Sequence, residues 1–125
     1  MKGRTIRNLK TVSIEEVRIV GEFAPQGASA PTVSFPTKHP RFTVVRTSTG
    51  LYTVTLIDKF YEWRVASLRS SLSAATTRVL QLNAMNMAAG TFAIANVDAA
   101  ATVQDIPANA LNTIFFEIAG MTSGV

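Results

Sequence analysis

Apolar and polar residues alternate with a period of two through most segments that carry large side chains. The clearest run is LYTVTLID at residues 51–58, where Tyr52, Val54 and Leu56 oppose Thr53, Thr55 and Ile57. That period places one set on each face of a β-strand. The run is preceded by FTVVR at residues 42–46 and by TSTG ending at Gly50. Two β-rich runs joined by a short Ser/Thr/Gly segment predict a hairpin, with Gly50 taking the positive φ that the bend requires. A second alternation, EEVRIVGEF at Glu15–Phe23, sets Val17, Ile19 and Gly21 against Glu16, Arg18, Val20 and Glu22. TFAIANV at Thr91–Val97 follows Gly90 and reads as a strand, as does NTIFFEIAG at Asn112–Gly120, where Ile114, Phe116 and Ile118 share one face.

Between these runs the pattern weakens. Residues 24–40, APQGASAPTVSFPTKHP, hold four of the five prolines. Proline removes ladder donors and locks its own φ, so this segment is expected to be a long surface loop with a short extended piece at Thr32–Phe35. Residues 62–88 fit two periods. Val65, Leu68, Leu72, Ala75 and Val79 recur at helical spacing, whereas Leu80, Leu82 and Ala84 alternate. The Ser- and Thr-rich stretch at Ser70–Thr77 competes with a helix backbone, which favours two strands joined by a turn over the helical alternative. DAAATVQDIPANAL, residues 98–111, is expected to be a loop. About seven strands with two long loops predict an all-β, single-domain antiparallel β-sandwich or jelly-roll-like fold over residues 15–125. Residues 1–14, with few large apolar side chains, are expected to form a basic N-terminal arm.

Composition then narrows the functional classes. At 125 residues the chain builds one core. Its charged fraction is 16%, against about 25% in ordinary soluble domains, so some apolar surface is expected to meet a partner. The absence of cysteine excludes disulfides, thiolate catalysis and thiolate zinc sites. No run approaches a membrane span or a signal core, so a soluble, unprocessed chain with no membrane partner is expected. The net charge of +4 comes entirely from Lys2, Arg4, Arg7 and Lys10, because the remaining basic and acidic residues balance. No Lys or Arg follows Arg78. A basic patch over a folded face is therefore not indicated, and nucleic acid is not expected as a partner.

No catalytic or metal-ligating set can be assembled. His39 is the single histidine, between Lys38 and Pro40 in a loop; Glu15 and Glu16 fall on opposite faces of a strand; and the glycines are too dispersed to cradle a phosphate. The chain is expected to be non-enzymatic and free of cofactors. Phe60, Tyr61 and Trp63 form an aromatic cluster whose stronger reading is a core edge or an oligomer or partner contact, ahead of a stacking platform for sugar or bases. Met85 and Met87 read as gap fillers at a packing surface.

The hairpin phrase RTSTGLYTVTLID at Arg46–Asp58, with the closing strand NTIFFEIAG and its short polar end, resembles small virion structural proteins of tailed bacteriophages, of the capsid cement or decoration type. The resemblance covers about residues 41–120; the aromatic and basic DKFYEWRVASLRSSL and the proline-rich segment depart from it. It implies a β-rich homotrimer on the capsid exterior, made in the host cytoplasm, with the major capsid protein as partner and no catalytic residue. Cementing neighbouring coat subunits is then the expected function, and Lys2, Arg4, Arg7 and Lys10 are candidate capsid-binding residues. A tail, baseplate or head-fibre protein is the alternative. A nucleic-acid module using the arm and a carbohydrate-binding sandwich using Trp63 rest on one feature each.

Overall fold

The computed structural model describes residues 16–60, 62–73 and 78–121. The arm at 1–14 and Tyr61 lie outside the described residues. The strands are β1 (Glu16–Gln26), β2 (Ser29–Phe35), β3 (Phe42–Ser48), β4 (Leu51–Leu56), β5 (Glu62–Ser71), β6 (Arg78–Asn86), β7 (Thr91–Asp98) and β8 (Thr113–Met121). They form two four-stranded antiparallel sheets, ordered β2-β1-β8-β5 and β3-β4-β7-β6. The expected all-β sandwich is what forms.

The core lies where the alternating faces meet. β4 buries Tyr52, Val54 and Leu56, and β8 buries Ile114, Phe116 and Ile118. Rings from both sheets interlock: Phe116 of the first sheet meets Phe42 at 4.8 Å and Phe92 at 5.5 Å, both of the second sheet. Phe23 reaches across to Tyr52 at 5.6 Å and Trp63 to Phe92 at 5.9 Å. Each fully buried ring contributes roughly 1.5–3 kcal/mol through area alone, so this ladder outweighs any surface ion pair in holding the sheets together.

Residues 24–40 correct the expectation of one long loop. β1 continues to Gln26 and turns through a two-residue loop, with Gln26 opposite Ser29 and Gly27 at φ 60°. The prolines are accommodated at positions that need no ladder donor. Pro31 sits on the edge strand β2, and Pro25 sits at an irregularity of the β1–β2 register, beyond the last β1–β8 pair, Phe23 with Ile114. The count of strands rises to eight because β2 is a full strand.

Residues 62–88 form β5 and β6, not a helix. Their mixed periodicity has a physical cause. A register shift lies between Val65 and Ser67 in β5 and another between Leu82 and Ala84 in β6. Each inserts a residue, so Val65 and Leu68, opposite Ile118 and Phe116, share a face although three positions apart. A bulged strand thereby imitates helical spacing.

The connection from β7 to β8 is a loop, as expected, but a tightly held one. Asp98 Oδ1 accepts from the N–H groups of Ala100 and Thr102 at 2.9 and 3.0 Å. Asn96 Nδ2 donates to Gln104 O at 2.7 Å. Ile106, only 1% exposed, enters the core from this loop, and its carbonyl accepts from Gly27 N–H at 2.9 Å.

Candidate functional site

Two surfaces offer themselves, and both lie around β6. The first is a cleft of about 410 Å³ lined by Leu56–Phe60, Trp63 and the β6–β7 turn at Met87–Gly90. β4 ends at Leu56, whose N–H donates to Gly90 O at 2.8 Å and so fixes the turn against the strand end. Trp63 forms the inner wall. It is 3% exposed and its Nε1–H donates to Met87 O at 3.2 Å. Phe60 stands partly buried over Gly120, so close that a Cβ there would lie 2.7 Å from the ring. Asp58 is paired with Arg41, which leaves Ile57 and Met87, 52% and 43% exposed, as the apolar rim.

These placements sort the aromatic candidates. Trp63 belongs to the core, in line with the core-edge reading, and its ring is covered by the chain's own residues. Phe60 is half-covered and supports the cleft wall. The capsid-binding candidates Lys2, Arg4, Arg7 and Lys10 lie outside the described residues.

The second surface is β6 itself. Residues 79 and 81–86 are all exposed, with Leu80 half-buried. Val79 is 50% exposed, Leu82 44% and Met85 38%. Met85 and Met87 therefore line a surface rather than fill a gap within the chain. Leu82 is the residue whose role the sequence least reveals. The strand pattern of β6 was visible in it, but its position at a sheet edge was not.

A third constellation is structural. Arg46 makes a two-pronged pair with Asp105, Nε to Oδ1 at 2.9 Å and Nη2 to Oδ2 at 2.8 Å, and Gly50 N–H donates to the same Oδ1 at 2.8 Å. The guanidinium of Arg46 and then the Gly50 N–H hold the Asp105 carboxyl below the usual carboxylate range, against partial desolvation that pushes it up. Asp105 in turn raises the Arg46 guanidinium further. The pair pins the β7–β8 loop to the β3–β4 turn.

His39 is exposed in the β2–β3 connection. Among the described residues no group of three His, Asp or Glu side chains could hold a metal ion, and no helix is long and apolar enough to cross a membrane. What the cleft and β6 together can do is bury apolar side chains and offer strand-edge hydrogen bonds to another chain. No protein-family model, curated protein or solved structure matches this sequence.

Proposed function

We infer that this chain is a structural protein that acts by adhesion, as a phage virion protein seated on the outer face of the capsid and cementing neighbouring coat subunits. The observation that carries the adhesive reading is the set of exposed apolar residues along β6 and its turn, Val79 on one face, Leu82 and Met85 on the other and Met87 in the turn, on a sandwich whose core is otherwise closed by interlocked rings. Single exposed apolar residues are ordinary; several along one strand and the turn that follows it mark a contact surface. The resemblance of Arg46–Asp58 to phage virion proteins supplies the setting, and the major capsid protein is the partner that follows from it.

In this mechanism nothing is turned over. Buried area across two coat subunits raises the free energy needed to separate them, so that binding stabilises the shell by mass action. The basic residues Lys2, Arg4, Arg7 and Lys10 add attraction to an acidic coat surface. Cryo-electron microscopy of particles carrying the chain, with gold-labelled antibody against it, tests the reading. Label and density on the head exterior are expected. Label at the tail or baseplate would move the protein there, and absence from purified particles would overturn the virion assignment.

A further inference from the structure

The two sheets have four edges, and three are protected against pairing with another chain. β2 contains Pro31; β3 contains Arg46; β5 contains Glu62, Arg64 and Arg69. Proline and charge are the usual means of blunting an edge. Residues 79–86 of β6 contain neither, and among the described residues nothing pairs with its outer edge. An edge left open while its counterparts are blunted is one that another strand fits.

The side chains on β6 say which strand. Leu80, Leu82 and Met85 stand opposite Asn96, Ile94 and Phe92 of β7, all three buried. Directly opposed residues share a face, so this row points toward the core side of its sheet. Yet Leu82 and Met85 are 44% and 38% exposed, so the sandwich is open here. The bulge between Leu82 and Ala84 places Met85, not Ala84, as the next inward residue after Leu82. With Asn83 set aside as the extra residue, Leu82 is the midpoint of residues 79–86. An antiparallel second copy centred there sets Leu82 against Leu82, Leu80 against Met85 and Gln81 against Ala84. Every inward residue then meets an inward residue, all are apolar, and no charge is brought against a like charge. Without the bulge, Leu80 would face Ala84 across the axis instead of the larger Met85.

We propose that two copies of this chain pair antiparallel through β6 about a two-fold axis at Leu82, joining their second sheets into one continuous eight-stranded sheet. The contact is isologous, with each copy giving and receiving the same residues. A strand-edge contact of this length lies at the small end of stable interfaces, which bury roughly 1,200–2,000 Å², so association is expected in the micromolar range. The proposal draws on the same β6 residues as the capsid reading but concerns the isolated protein, so a dimer in solution tests it whether or not the chain is found on particles.

Sedimentation equilibrium of the full chain over micromolar concentrations should show a reversible monomer–dimer system built on the 13.4 kDa chain. Leu82→Lys, which sets two ammonium groups against each other on the axis, should weaken the dimer by about tenfold or more, while Val45→Lys on the charged β3 edge should leave it unchanged. Because the chain has no cysteine, Leu82→Cys supplies a single thiol. Short bifunctional maleimide should then link Leu82→Cys into a dimer and leave Val45→Cys monomeric. A monomer throughout, the trimer that the phage resemblance implies, or equal cross-linking from both thiols would overturn the proposal. If Leu82→Lys does not fold, the cross-linking pair decides alone.

Discussion

Gly50 combines a left-handed backbone with a close approach, and the two costs can be separated by experiment. Its φ is 69°, and a Cβ built there would lie 2.5 Å from Val103 Cγ1 and 2.7 Å from both the N and the O of Gln104. Holding a residue with a side chain in the left-handed region costs roughly 1–2 kcal/mol. Val103 could rotate away. Gln104 could not, because its N–H donates to Asn96 O at 2.9 Å and its carbonyl accepts from Asn96 Nδ2 at 2.7 Å. Forcing a methyl group against that backbone adds about 1–3 kcal/mol, so Gly50→Ala should cost about 2–5 kcal/mol of a domain stability near 5–15 kcal/mol. Gly27 is the internal control, with φ 60° and nothing within 4 Å of its Cβ position. Gly27→Ala should cost only the backbone share, about 1–2 kcal/mol. Urea unfolding followed by the fluorescence of Trp63, the single tryptophan and a buried one, measures both. With a slope of about 2 kcal/mol per molar, the middle of the usual urea range, the Gly50→Ala midpoint should fall by about 1–2.5 M. A Gly50→Ala midpoint equal to that of Gly27→Ala would refute the claim that the β7–β8 loop presses on the turn.

Asp105 has its carboxyl pKa lowered in the folded state, chiefly by the Arg46 hydrogen bond and further by Gly50 N–H, so its contribution is present above the unfolded carboxylate value near about 3.9 and is lost as pH falls through the lower folded value. Asp105→Asn should therefore be less stable than the parent at neutral pH, with the gap narrowing below about pH 4 in urea titrations; a gap independent of pH would contradict the ion-pair account. Trp63→Ala empties a core position and removes the bond to Met87 O, which should cost about 3–5 kcal/mol by thermal melting monitored by circular dichroism. Deleting residues 1–14 should leave the melting temperature unchanged while weakening binding to stripped particles, more at low salt than at high salt, because exposed charges are screened beyond about 10 Å at 0.1 M. Equal decoration by the truncated and full chains at both salts would remove the arm from the adhesive mechanism.

Period-two alternation is a local property, and it was enough for the fold class. Each of β1, β4 and β8 shows in its own residues which face turns inward, because successive side chains point to opposite sides whatever lies beyond the strand. The TSTG hairpin was legible for the same reason, since the left-handed backbone at Gly50 is a demand of the turn itself. Tertiary structure decided the rest. Whether Pro25 and Pro31 end a strand or sit harmlessly in one depends on whether a neighbour needs their missing N–H, and edge placement and an irregular register mean that none does. Ile106 is one apolar residue in a polar loop, and it becomes core only because that loop folds back over the ends of two hairpins. Trp63 and Leu82 show the contrast most sharply. A tryptophan beside other aromatics fits a core edge or a partner contact alike, and the β6–β7 turn decides by covering it, while a leucine in an ordinary strand pattern stays open because β6 is the last strand of its sheet. Hydrophobicity sets how much a side chain gains from burial, but the position of its strand among the others decides whether the chain itself provides the cover or leaves it to a partner.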